Sequence, residues 1–290
     1  MIPNNNFSVL PWYGSLDQQN ARKWWLFGKV YPLYCRAGYI LPFQLIIPHT
    51  SNTYAFRNAY LYDANTNAQL ANITQGLQDS GLTKKDFPVL NYDVIVYPGT
   101  LSVGEDFDNG RYYIRADAAD GQVYYSEVFT VINQSAPYLK IRWWDEEDFT
   151  MDAGTIVYTS PIFENELYLQ ADLAKPEYPF EEEGDTRDGY FYPIKQISEK
   201  RYKFSFLASE YLLDVMRFIR LSDHVVVEYR GQQYSVDNFL ITPEWQAEGD
   251  VAVVQAEFDT ATVAKKLGLG YIKALRGDFN DDFNDDFDNR

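Results

Sequence analysis

The stretch Gly110–Val131, GRYYIRADAADGQVYYSEVFTV, predicts a β-hairpin. Alternate residues of a strand point to opposite faces, so Tyr113, Arg115 and Asp117 would share one face of its first strand. Asp120-Gly121 stands where a tight turn would close the hairpin, and the alternation then resumes. We expect this hairpin to end a small immunoglobulin-like β-sandwich, a module that usually presents or bridges surfaces and carries no chemistry of its own.

The composition favours a mainly β protein with two domains. A chain of 290 residues is long enough for two domains, and its 24 Tyr suit half-buried strand faces and contact surfaces. The net charge of −17 is uneven, because residues 1–135 hold 11 acids and 9 bases whereas residues 136–290 hold 31 acids and 16 bases. Nucleic-acid binding by the second half is therefore disfavoured, since phosphate contacts need positive charge. The first sixty residues carry a single acid, Asp17, so they could meet an acidic neighbour.

The domain organisation follows from these shifts in composition and from turn signals. The predicted fold is an immunoglobulin-like β-sandwich followed by a second β-rich domain with one amphipathic helix, and both termini are extended. Asn133 to Pro137, NQSAP, is the best linker in the chain. The predicted segments are an N-terminal arm 1–20, the sandwich 21–132, the linker 133–137, the second domain 138–272 and an acidic Phe-Asp-Asn tail 273–290.

Local patterns predict three further elements. Apolar residues recur at helical spacing across Glu210–Arg220, after the N-cap candidate Ser209, which predicts one helix that covers a sheet. We expect Lys175–Asp188, with two prolines and an acidic run, to be a long exposed loop, and Leu82–Asp86 to be a short helical turn. The inward face of the helix would carry Leu212, Val215 and Ile219.

The sequence contains no constellation that would carry chemistry. The two histidines, His49 and His224, lack metal-ligand neighbours at the usual spacings, and no phosphate-binding glycine motif or nucleophile elbow occurs. Cys35 is the only cysteine and lies in an apolar run, which is typical of a small buried residue. We therefore expect a protein that is not an enzyme and that has no cofactor and no metal site.

Two aromatic pairs are candidate contact residues. Trp12 and Tyr13 suit an anchor for the arm, which would become ordered on a neighbouring subunit. Trp143 and Trp144 are adjacent in a predicted strand, so one ring should enter the core and the other should be exposed. The exposed ring would serve at a subunit interface or as a platform for a sugar.

The tail repeats with a period of four residues, as DFND, DFND and DFDN. The repeat places Phe279, Phe283 and Phe287 regularly among six aspartates. One interpretation is a disordered, solvated tail, and the other is a short motif whose phenylalanines dock in grooves on a partner.

Three segments resemble virion structural proteins of phages that infect gut Bacteroidota, the crAss-like phages included. These segments are YLKIRWWDEEDFTMDAGTIVY (Tyr138–Tyr158), Phe180–Tyr229, which begins FEEEGDTRDGYFYPIK, and the tail GDFNDDFNDDFDNR. The similarity covers roughly residues 100–290. It implies a role in tail, neck or ring assembly, and it carries over no catalytic residues.

The functional expectation is a non-enzymatic structural subunit of a phage tail or neck assembly. It would form a ring through head-to-tail contacts, with copies of itself and other virion proteins as partners and with no nucleic acid and no membrane. The protein would be made in the host bacterial cytoplasm, because the start lacks the pattern of a secretory signal, and it would then reside in the virion. The alternative is a glycan-binding β-sandwich module of a bacterial surface system.

Overall fold

The strands of the chain confirm the mainly β prediction. The computed structural model describes residues 8–19, 33–36, 39–99, 110–132, 138–147, 149–152, 156–159, 163–245, 251–261 and 264–267. The first half contributes β1 (Trp12–Tyr13), β2 (Leu33–Arg36), β3 (Phe43–Pro48), β4 (Phe56–Asp63), β5 (Gln69–Asn72), β6 (Thr83–Phe87), β7 (Tyr92–Tyr97), β8 (Arg111–Ala118), β9 (Val123–Ser126) and β10 (Phe129–Ile132). The second half contributes β11 (Leu139–Trp144), β12 (Phe149–Asp152), β13 (Ile156–Thr159), β14 (Asn165–Leu169), β15 (Phe180–Arg187), β16 (Tyr190–Ser198), β17 (Arg201–Ser209), β18 (His224–Tyr229), β19 (Gln232–Trp245), β20 (Val251–Thr260) and β21 (Ala264–Leu267). The helices whose bounds the structure gives are α1 (Thr74–Asp79) and α2 (Glu210–Met216), with 3-10 turns at Pro88–Leu90 and Ile219–Leu221, and residues 16–19 are also helical.

One large sheet crosses the predicted domain boundary. Its strand order is β1-β9-β8-β10-β2-β14-β11-β18-β19-β20-β17, with β4 and β5 attached through β8. β10 and β2 pair in parallel, and β2 then meets β14 where Tyr34 lies opposite Tyr168. The segments 21–132 and 138–272 therefore share a sheet. The linker 133–137 lies outside the described residues, and independent folding of the two domains stays a prediction.

The hairpin predicted from Gly110–Val131 is present. β8 pairs with β9, and Gly121 in the turn has φ 84°, a value that glycine adopts without strain. Ile114 and Ala116 are fully buried, whereas Arg115 and Asp117 are half-buried on the other face. The predicted second strand is interrupted after Ser126, and the chain then resumes as β10, which pairs with both β8 and β2.

A three-stranded sheet, β3-β7-β6, packs as a second layer in the first half. Phe43 of β3 lies 4.9 Å from the Trp12 ring and 5.0 Å from the Tyr97 ring, between centroids. The opposite face of β3 is also covered, because Ile46 belongs to a separate buried cluster with Tyr158. An immunoglobulin-like topology for these layers stays a prediction.

The prediction that the N-terminal arm becomes ordered only on a neighbouring subunit is wrong for residues 8–19. β1 pairs with β9 of the same chain, and the Trp12 side chain is 3% exposed, within the main core. The large apolar area that Trp12 buries in the core stabilises the packing of this segment on its own chain, without a neighbouring subunit. Residues 1–7 of the arm lie outside the described residues.

The predicted helical turn at Leu82–Asp86 is also wrong. These residues form most of β6, which pairs along its whole length with β7. The tertiary pairing outweighs the weak local preference of so short a segment. A helix occurs instead one element earlier, at α1, where Leu77 is buried.

The predicted helix Glu210–Arg220 is shorter than expected. α2 ends at Met216, and a 3-10 turn brings both Phe218 and Ile219 into the core. The tighter turn suits two consecutive apolar residues that a continuing α-helix would direct 100° apart. Val215 is buried as predicted, Leu212 is only half-buried, and Ser209 occupies the N-cap position without a side-chain cap hydrogen bond.

The predicted exposed loop Lys175–Asp188 is wrong in part, because Phe180–Arg187 forms β15. This strand pairs with β16, and β21 adds a third strand to the same small sheet. The residues are exposed as predicted, but they are ordered by cross-strand pairing.

Phe129 tests the shared core, since its fully buried ring sits where β10 joins β8 and β2. We expect Phe129→Ala to lower the free energy of unfolding by about 3–5 kcal/mol, because it leaves a cavity in that junction. Urea unfolding followed by tryptophan fluorescence measures the change. The matched control Val89→Ala removes a side chain that is 96% exposed and should change stability by less than about 0.5 kcal/mol. Equal stabilities for both variants would contradict the shared core.

Candidate assembly surface

A β-hairpin, residues 180–198, stands out from the rest of the chain, and we call it the ribbon. β15 and β16 pair from Phe180 opposite Ser198 to Arg187 opposite Tyr190. Asp188 and Gly189 join them with φ 53° and 80°, the positive values of a type I′ turn. β21 pairs with β16 only over residues 195–198, at the base of the ribbon.

The outer part of the ribbon has no buried face. Every side chain described between Phe180 and Ile194 is exposed, apart from the half-buried Gly184. An isolated two-stranded hairpin is marginal in water, because it has no apolar face to bury. The order of the ribbon therefore depends on its base, and its outer part gains stability only if another surface covers it.

One face of the ribbon carries two exposed tyrosines, and we call it the aromatic face. Tyr190 and Tyr192 alternate along β16 and so share a face, where they are 70% and 52% exposed. Asp185 pairs with Tyr192 and lies on this face as well. Phe180 precedes Asp185 by five residues on β15, so it lies on the opposite face, where it is 60% exposed. Exposed aromatic side chains that share a face are typical of a protein interaction site.

Close packing on the opposite face of the ribbon explains why residue 184 is a glycine. The Phe191 ring covers Gly184, where a Cβ atom would lie 2.6 Å from the ring and closer still to the Tyr192 carbonyl oxygen. The register shifts between Glu183 and Gly184, which marks a β-bulge. Any larger residue at position 184 would displace the ring or the neighbouring strand.

The outer edge of the ribbon is protected against strand addition. β15 has β16 as its partner and carries the exposed run Glu181–Glu183 along its other edge. Charges and bulges on an edge strand oppose pairing with another strand. On β16, Pro193 lacks the N–H group that a further strand would need. Contacts with a partner therefore favour the aromatic face over the edges.

The sequence-predicted contact residues lie away from the ribbon. Trp12 is in the core, and the Tyr13 hydroxyl donates to the Glu127 carboxylate at 2.8 Å within the same chain. Trp12 is therefore not available as an anchor for a neighbour, whereas that role stays a prediction for the half-buried Tyr13. Phe279, Phe283 and Phe287 lie outside the described residues.

The tryptophan pair divides between core and surface. Trp143 is 2% exposed, whereas Trp144 is half-buried. The Trp144 ring stacks on His224 with 5.2 Å between ring centroids, and His224 Nε2 lies 2.9 Å from a Glu146 oxygen. One face of Trp144 is therefore already occupied by a side chain of this protein, and its role at an interface or sugar platform stays a prediction.

A buried ion cluster at the edge of the β3-β7-β6 sheet was missed by the sequence analysis. The Lys84 ammonium bonds to Asp86, lies 2.9 Å from Asp93 and donates to the Thr50 carbonyl at 3.1 Å. His49 Nδ1 lies 2.7 Å from Asp93, which also accepts from the Thr50 N–H at 2.9 Å. The Lys84 and Asp93 side chains are 3% and 0% exposed. These residues come together only through strand pairing, so no sequence spacing reveals them.

The Lys84 ammonium compensates the charge of the buried Asp93 carboxylate. Burial raises the pKa of Asp93, but hydrogen bonds from His49 and Thr50 and the Lys84 ammonium outweigh this effect and hold that pKa below 3.8. Burial lowers the pKa of Lys84, but Asp86 and Asp93 outweigh it and hold that pKa above 10.5. His49, Asp86 and Asp93 have a spacing compatible with metal ligands, yet the ammonium already supplies the positive charge between the two carboxylates. The arrangement fits a structural ion pair better than a metal centre.

Cys35 is buried, and burial raises the pKa of its thiol. Its Sγ lies 2.8 Å from the Tyr39 carbonyl oxygen. A protonated, enclosed thiol is a poor nucleophile, so this residue acts as a small core side chain.

Comparisons with known proteins add no relative. Neither the known protein families nor the curated proteins include a match to this chain. Among the described residues, no helix has the length and apolar character needed to cross a membrane.

The ion cluster predicts a pH dependence of stability. Because the pKa of Asp93 is lowered on folding, its ionised form stabilises the native state above pH 3.8, and this contribution is lost as the pH falls through the native pKa. We expect the melting temperature of the wild type to fall more steeply than that of Asp93→Asn between about pH 5 and about pH 2. Differential scanning calorimetry measures both. Asp79→Asn, at an exposed position on α1, should keep the wild-type slope, and equal slopes for wild type and Asp93→Asn would rule out this linkage.

Proposed function

We propose that the protein is a non-enzymatic structural subunit of a phage tail or neck assembly and that it forms a ring with copies of itself. The ribbon is the observation that carries this proposal. It extends from a well-packed sheet and leaves large apolar side chains exposed, which suits a surface that another subunit covers.

The dimensions of the ribbon fit this role. β16 is nine residues long, so at about 3.3 Å per residue the ribbon spans about 30 Å. This length is comparable to the width of a small domain, so a neighbouring subunit lies within its reach. A paired hairpin also loses less conformational entropy on binding than a disordered arm.

The charge of the ribbon favours a head-to-tail arrangement. Residues 180–198 carry five acids and two bases, a net charge of −3 (2 − 5). Two ribbons that met across a two-fold axis would repel each other, whereas a ribbon that meets a different, neutral or basic surface would not. Repeated head-to-tail contacts generate a ring when the rotation closes.

The buried ion cluster supports a structural role. Its carboxylates are paired with Lys84 and His49, and this pairing ties the end of β3 to β6 and β7. Such a cluster holds the strands of a small sheet in one register.

Ribbon variants test the proposal. We expect the wild type to form a closed oligomer, and Tyr190→Ser with Tyr192→Ser to be monomeric, because the substitutions remove apolar contacts worth about 1.5–3 kcal/mol per side chain when fully buried. Sedimentation velocity and native mass spectrometry measure the mass. Tyr178→Ser is the matched control, since Tyr178 is 66% exposed and lies outside the ribbon.

Two results would contradict assembly as the function. One is a wild-type chain that stays monomeric and is missing from purified phage particles. The other is specific binding on a glycan array that is lost in Trp144→Ala and kept in the ribbon variant, which would favour a glycan-binding module.

A further inference from the structure

The ribbon lies directly beside the point where the described chain ends. β21 runs antiparallel to β16, with Ala264 opposite Ser198 and Leu267 opposite Lys195. The chain therefore leaves the base of the ribbon at Leu267. The segment that follows in the sequence is therefore covalently joined to the base of the ribbon.

The segment after β21 is basic and apolar, whereas the ribbon is acidic. Residues 268–277, GLGYIKALRG, lie outside the described residues and contain two bases and no acid. Its apolar residues are Leu269, Tyr271, Ile272, Ala274 and Leu275. The ribbon has a net charge of −3 and exposes two tyrosine rings, so a basic segment with apolar side chains complements it in both charge and polarity.

The glycines of the segment suit an exchange between subunits. Gly268 and Gly270 flank Leu269 immediately after β21, and glycine allows backbone directions that other residues disfavour. Pro193 and the charged edge of β15 oppose simple extension of the ribbon sheet by a further strand. The segment is thus better suited to lie across an aromatic face than to lengthen its own sheet.

We propose that the aromatic face of each ribbon binds residues 268–277 of the neighbouring copy. This inference rests on the proposed ring assembly and names the contact that joins consecutive subunits. Leu269, Tyr271 and Ile272 pack against Tyr190 and Tyr192, while Lys273 and Arg276 meet the acids of the ribbon. Each copy gives one segment and receives another, so the contact is heterologous and propagates around a ring.

Two complementary full-length variants provide the test. The ribbon variant carries Tyr190→Ser and Tyr192→Ser, and the segment variant carries Lys273→Glu and Arg276→Glu. Each should be monomeric alone. Their mixture should form a dimer and stop there, because the intact ribbon of one variant accepts the intact segment of the other and the remaining two surfaces are both defective.

Charge reversal provides a second, independent arm. Glu181→Lys with Glu183→Lys on the ribbon should restore oligomers when combined with the segment variant, because the signs of both surfaces are then exchanged. Lys175→Glu, at an exposed base outside both surfaces, is the matched control and should assemble as the wild type does. Native mass spectrometry counts the subunits, and circular dichroism checks that every variant is folded.

The outcomes separate this inference from the proposed function. Wild-type assembly that persists in the segment variant would overturn the inference and leave the ring intact. A mixture of the two variants that stays monomeric would also overturn it, because the segment would then be bound to its own ribbon or to nothing. A wild type that never assembles would overturn both.

Discussion

The pairing of β2 with β10 on one side and with β14 on the other holds the molecule together. β2 has only four residues, yet it joins the strands of the first half to those of the second half. A continuous sheet lets the core run through both halves, so Leu33 and Cys35 of β2 are buried in the same cluster as Ile141 and Phe258. The ribbon belongs to the second half.

The buried aromatic residues stabilise the fold, whereas the exposed ones are the candidates for contact with a partner. Trp12, Phe43 and Phe129 are enclosed in the main core, where each contributes through the apolar area that it removes from water. Tyr190 and Tyr192 remain 70% and 52% exposed within the described residues. A chain rich in tyrosine can support this division because tyrosine tolerates water at its hydroxyl and still offers a large apolar surface to a partner.

Charges also differ between the interior and the ribbon: they are paired inside the fold and unbalanced on the exposed ribbon. Inside the fold, the carboxylate of Asp93 is matched by the Lys84 ammonium, as buried charges require. On the ribbon, acids outnumber bases and remain exposed to solvent. An unbalanced surface of this kind favours contact with a surface of the opposite charge. The basic segment after β21 meets that requirement, so the chain encodes both halves of the proposed contact.

Local patterns in the sequence by themselves determined the β class, the hairpin around Asp120-Gly121 and the core position of Val215, because alternation and turn chemistry act over a few residues. Only the tertiary structure decided the fate of Trp12, the strand at Thr83–Phe87 and the cluster around Lys84, because each depends on strands distant in the sequence. The ribbon lies between these cases. The alternation of Tyr190, Tyr192 and Ile194 after Asp188-Gly189 was a local signal for a hairpin, but the prolines and the acidic run favoured a loop. Strand pairing along β15 and β16 resolved that conflict.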